Sequence, residues 1–150
     1  MQDGSANSQW PARILITANT GGGLQRGIRI AQMFVRLAGL VLLVLGIMIW
    51  TGHGEALIRT HAALGVFFVL ALWTVAAFGL VARIGYVLPA RLIIWGIVIG
   101  WFGISQQHLF PGTYHWIVQV LHLAVGVIAI GLAEVVSARV KKAGAPKMAA

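Results

Sequence analysis

The chain has 150 residues, 59% of them hydrophobic and only 9% charged, against roughly 25% charged in an ordinary soluble domain. That balance, with a mean hydropathy of +0.90, excludes a water-soluble globule and points to an integral membrane protein. Cysteine is absent, which excludes disulfides, thiolate metal sites, iron–sulfur ligation and covalent haem attachment, so any cofactor must hang on histidine or carboxylate.

Residues 1–29 are too polar for a signal peptide and lack an apolar stretch after a basic start. They read as a cytoplasmic tail, with Gly21-Gly22-Gly23 as a flexible joint and Trp10 as an interfacial contact. Residues 30–138 then carry four apolar stretches, at 30–51, 56–82, 87–107 and 114–137, each near the roughly 20 residues that cross a hydrocarbon core. The third needs Arg91 to snorkel, because its uninterrupted apolar part begins only at Leu92. Residues 139–150 form a basic tail. The expectation is an all-α, four-helix up-down bundle in a membrane.

The net charge of +8 does not indicate nucleic acid, because of where the cations fall. Arg13, Arg26, Arg29 and Arg36 precede or open the first span, Arg83 and Arg91 lie between the second and third, and Arg139, Lys141, Lys142 and Lys147 follow the fourth. Only Arg59 falls on the other side. This is the positive-inside asymmetry, which places both termini in the cytoplasm with an even number of spans. Lipid is a sufficient partner for the basic ends, since anionic headgroups attract each nearby cation by about 1 kcal/mol.

The two halves echo one another. Arg36-Leu37 opens the first span and His53 closes it; Arg91-Leu92 opens the third and His108 closes it at the same spacing. The second span carries His61-Ala-Ala-Leu-Gly65-Val66 and the fourth His122-Leu-Ala-Val-Gly126-Val127. The implied architecture is a duplicated helical hairpin, related by an axis along the membrane normal. The longer outer loop of the second half holds Pro111-Gly112, a natural turn. Gly96 and Gly100 make a GxxxG that suits close helix packing, inside the bundle or in a homodimer. Trp50 and Trp116 near one rim and Trp95 near the other fit an aromatic belt.

All five histidines fall toward the outer ends of spans. His53, His108 and His115 stand at helix ends, where imidazole is cheap and interfacial. His61 and His122 lie deeper, roughly 10 Å into their helices at about 1.5 Å per residue, and intramembrane polar groups face the interior, where they pair or hold an ion. In an up-down bundle the second and fourth helices are diagonal, so matched histidines on them face one another across the core. Gly65 and Gly126 lie four residues on, on nearly the same helix face, where a missing side chain lets a flat ligand approach. Phe68 and Leu72 continue that face in the second span, as ring contacts or core filling, and Ala129 and Ala133 in the fourth. Arg59 is placed to answer a propionate, or else to pair with Glu55 at i, i+4. Glu134, near the inner end of the fourth span, is expected to find a partner among Arg83, Arg91 and Arg36.

The pair His61-xxx-Gly65 and His122-xxx-Gly126 resembles the haem-binding histidines of helical-bundle membrane cytochromes b, and the whole chain has the look of a small four-helix bacterial inner-membrane protein. The resemblance covers the four spans. It implies one haem b with His61 and His122 as axial ligands and an electron-transfer or membrane-anchor role, with a quinone and a redox partner or larger membrane complex as associates. Two other readings stand beside it. One is a cofactor-free bundle that stabilises or assembles a complex, its histidines hydrogen-bonded across the core. The other is copper or zinc handling by His53, His61, His108, His115 and His122, since imidazole suits both metals; of the methionines, only Met48 is near that rim. Hydrolytic and transferase chemistry is not indicated, for want of paired carboxylates, a nucleophile with a base, or a phosphate loop.

Overall fold

The computed structural model describes residues 10–106, 108–109 and 112–145, with side chains from residue 22 onward except that of Glu55. Four helices account for most of it: α1 (Trp10–Trp50), α2 (Ile58–Val81), α3 (Val87–Ser105) and α4 (His115–Ala143), with a short 3-10 turn at Glu55–Leu57 leading into α2. All four are long and apolar enough to cross a membrane, the span within α1 running over Gly22–Trp50. Runs of this kind form helices in lipid because no other open structure satisfies every backbone N–H and C=O internally.

The ends follow from local chemistry. Pro89 sits in the first turn of α3, where its missing N–H is not needed. The α4 helix closes with Lys141 and Lys142 in its last turn, on the negative end of the helix dipole. Gly52 and Gly85 take positive φ, 77° and 94°, in the loops after α1 and α2, a backbone conformation that a side chain would strain.

Two expectations about the ends give way. Helix α1 continues unbroken through Gly21-Gly22-Gly23 back to Trp10, so those glycines lie within a helix and are not a flexible joint. Its 41 residues make a rod of roughly 60 Å, about twice a hydrocarbon core of ~30 Å. Helix α4 likewise runs past Val136 to Ala143, taking in Arg139, Lys141 and Lys142. Hydropathy ends the spans where the apolar run meets the flanking basic residues, but helix propensity does not stop there: once a helix is nucleated, Arg and Lys propagate it well and each Gly costs only about 1 kcal/mol.

Each helix packs on its chain neighbours, α4 also packs on α1, and α2 touches α4 directly. The contacts are specific. The position of a Cβ at Gly27 of α1 meets the Phe78 ring of α2, one at Gly39 meets Ile130 of α4, and one at Gly79 of α2 meets Pro89 of α3 and Val136 of α4. Glycine there permits close approach, as small residues do at membrane helix interfaces.

The core is concentrated at one end. Ile28, Val35, Leu72, Val75, Leu92, Ala129, Ala133, Val136 and Val140 are fully or almost fully buried in one cluster. Phe68 and Leu72, like Ala129 and Ala133, belong to that cluster, so they fill the core. Toward the histidine end the packing thins: no described residue of α1 beyond Gly39, of α2 before Phe68 or of α3 beyond Ile99 is buried, and on α4 before Ala129 only Val118 is. The outward faces are apolar, with Leu37, Val66, Ile94, Ile104 and Val127 among the large exposed side chains. Such a surface is consistent with contact with a lipid bilayer.

Candidate functional site

His61 lies in the first turn of α2 and His122 two turns into α4, so the two are not at equal depth along their helices. The 3-10 turn ahead of α2 adds to the difference, since it takes up Ala56 and Leu57, which hydropathy gives to the helix. The rings nonetheless meet: their centroids are 6.3 Å apart, with planes inclined at 51°. Nδ1 of each is sealed from solvent and has no hydrogen-bond partner. Burying an unpaired polar atom costs about 1–3 kcal/mol, so both imidazoles are held in place by their surroundings rather than by a hydrogen bond at Nδ1.

Those surroundings come from the flanking helices. A Cβ at Gly46 of α1 would stand 3.5 Å from His61 Cε1, and one at Gly103 of α3 would stand 3.7 Å from His122 Cε1. Each histidine thus rests on a glycine of the helix that precedes it. Phe102 of α3 stacks on the His122 ring at 5.8 Å between centroids and 17° between planes. Gly65 and Gly126 both face open space, with no heavy atom within 4 Å of an added Cβ. Arg59 is exposed, one residue into α2; the Glu55 side chain lies outside the described residues.

The spacing of the rings separates two kinds of contact. A direct N–H···N hydrogen bond brings the nitrogens to about 3 Å and the centroids to roughly 5 Å. One metal ion between two imidazoles, with metal–nitrogen bonds of about 2 Å, sets the centroids about 6 Å apart. The observed 6.3 Å is too long for the first; it is compatible with the second and equally with an ordinary tilted contact between two rings, at about 4.5–7 Å. The two buried imidazoles and the open positions at Gly65 and Gly126 are a donor set and a space that an iron-centred macrocycle would suit.

The remaining histidines are arranged differently. His53 is exposed and its Nδ1 approaches Thr51 Oγ1 at 3.3 Å; His115 Nδ1 lies 3.4 Å from the Leu109 carbonyl. Among the described residues no group of three or more His, Asp or Glu side chains is placed to hold a metal, so His53, His108 and His115 are not gathered with His61 and His122 into one centre.

A second polar cluster sits at the well-packed end, between α1 and α4. Glu134 takes both Arg36 Nε and Nη2 at 2.7 Å, a bidentate ion pair that realises one of the three expected partnerships. Gln32, buried, donates to Glu134 and accepts from Lys141 Nζ, and Gln25 reaches the carbonyls at the end of α4. Sequence reading missed Gln32 and Lys141; the only signal was that a lone glutamine on an apolar helix needs a partner. Gly96 packs inside the bundle, one of its two expected uses. A Cβ at Gly96 would sit 2.6 Å from Trp73 Nε1, and that indole donates to Ile93 O at 3.2 Å. Trp95 donates to Val125 O at 2.9 Å, joining α3 to α4; it belongs to the packing more than to a belt. Gly100 faces open space.

Comparison with protein-family models, with curated proteins and with solved structures finds no match to this chain.

Proposed function

We propose that this chain is an up-down four-helix membrane bundle with both termini cytoplasmic, and that it carries electrons through one b-type haem held between His61 and His122 near the outer leaflet. The observation that carries the reading is the imidazole pair, 6.3 Å between centroids and sealed at both Nδ1 atoms, in the half of the bundle with least core of its own. When bound, such a group supplies reversible one-electron chemistry at its iron.

The residues divide the work. His61 and His122 would each give a ring nitrogen to the iron, from helices that touch directly. Gly46 and Gly103 let the imidazoles settle against the neighbouring backbones. Gly65 and Gly126 keep the adjacent turns free of side chains. Arg59, a cation at the same end, would answer a propionate carboxylate. Phe102 shields one face of His122 and holds its ring orientation. The antiparallel arrangement is supported by the contacts themselves: Gln25 near the start of the α1 span meets the end of α4, and Gly46 near the end of α1 meets the start of α2. The duplication, the cytoplasmic termini, a quinol as electron source and an acceptor or larger complex at the outer surface complete the proposal, and rest on the charge pattern and the paired motifs.

The test is spectroscopic. Protein purified in mild detergent and supplied with haem should show the Soret and α bands of a low-spin bis-histidine centre on reduction, and His61→Ala or His122→Ala should abolish them while His53→Ala does not. The stacked Phe102 ring favours one competitor, a cofactor-free bundle in which His122 is simply packed. That reading expects no such bands under any loading condition.

A further inference from the structure

At the opposite end from the histidines, α1 and α2 leave a shallow groove between them, floored by Gly27, Ala31 and Ala71 and walled by Phe34, Phe67 and Phe78. Its wall on α2 runs eleven residues from Phe67 to Phe78, about 16 Å at the helical rise, which is half of a ~30 Å hydrocarbon core. The Phe67 end is near the middle of α2 and the Phe78 end near its close, so the groove covers one leaflet's depth. Its surface is almost wholly apolar; Thr74 Oγ1, which also lines it, is already bonded to Leu70 O at 2.8 Å.

Charge lies at one end only. Arg26 precedes Gly27 and lies one turn before Ile30 at the groove's mouth, and Arg83 follows α2 just beyond Phe78, both exposed, whereas Arg29 is on the side of α1 toward Arg36. The acidic side chain described at this end, Glu134, is taken by Arg36 on the side of α1 that faces α4. The groove therefore offers an apolar channel one leaflet long beneath a set of cations, with no polar group inside it to orient a neutral headgroup.

We infer that this groove binds a single anionic glycerophospholipid, its phosphate at Arg26 and Arg83 and one acyl chain laid along the channel to Phe67. The two parts of the site act on different properties of the ligand. The arginines select charge, each contributing through the attraction of a basic side chain to an anionic headgroup. The channel selects for retention, because a chain seated against Ala31 and Ala71 is removed from exchange with bulk lipid.

Native mass spectrometry of the detergent-purified protein, given equal phosphatidylglycerol and phosphatidylcholine, tests both parts. The wild type should keep one phosphatidylglycerol per chain in preference to phosphatidylcholine. The double variant Arg26→Gln, Arg83→Gln should lose about tenfold or more of that preference. Thr74→Phe, which fills the groove from an exposed position outside the core, should shed both lipids at lower collision energy while keeping the wild-type elution volume and helicity. Equal retention of the two lipids by the wild type overturns the inference. So does a Thr74→Phe variant that holds phosphatidylglycerol as well as the wild type, because the preference would then belong to the surface charge alone. A neutral isoprenoid quinone retained in place of phospholipid overturns it as well.

Discussion

Replacing His61 by leucine separates a histidine that waits for a metal from one that holds the bundle together. In the structure His61 buries an Nδ1 atom with no partner, a cost of about 1–3 kcal/mol, and its Cε1 lies 3.5 Å from where a Cβ at Gly46 would stand. Leucine has a similar volume and no polar atom, so without haem the variant should be more stable than the wild type by about 1–2 kcal/mol. Haem at a hundred times its dissociation constant should then stabilise the wild type by about 2.7 kcal/mol and leave the variant unmoved. The order of stabilities inverts. Reversible unfolding in mild detergent, followed by helicity with and without added haem, reads both differences. A variant weaker than the wild type by about 0.6–2 kcal/mol whether or not haem is present would refute the reasoning, since that is the behaviour of a lost interhelical hydrogen bond.

Other outcomes follow from the same geometry. Gly126→Phe fills open space beside His122, so it should leave the apoprotein's melting unchanged or raised and abolish haem uptake, measured by titration of the Soret band. Gly96→Ala drives a Cβ to within 2.6 Å of Trp73 Nε1 and should cost about 1–3 kcal/mol in unfolding experiments. Gly100→Ala meets nothing within the chain and should be neutral to folding; if it lowers association in analytical ultracentrifugation, the outer face of α3 is a dimer contact. Gln32→Leu removes a buried amide that bridges Glu134 and Lys141 and should cost about 1.5–3 kcal/mol, read by the same unfolding assay.

Much of this architecture could be read from hydropathy because a bilayer forces the answer: a run of about 20 apolar residues has few alternatives to a spanning helix. The four spans appear where their apolar centres predicted, and Glu134 found an arginine because an intramembrane carboxylate must. The ends were less legible. Gly21-Gly22-Gly23 looked like a joint because glycine is a weak helix former, yet three such residues inside a long helix do not stop its propagation. Depth was misjudged for His61 for a related reason, since where helix α2 begins depends on the 3-10 turn and not on hydropathy. Contacts between helices were hidden altogether. Phe102 on His122, Gly46 beside His61, Trp73 over Gly96 and Gln32 between Glu134 and Lys141 depend on which faces meet, and that is set by packing between distant segments.

The imidazole pair is the centre of the account, and the reduced-minus-oxidised spectrum of haem-supplemented protein addresses it most directly. A sharp α band with a Soret shift, present in the wild type and in His53→Ala but lost from both His61→Ala and His122→Ala, is the predicted result. A featureless spectrum from well-folded wild-type protein, or bands that survive the loss of either histidine, would contradict it.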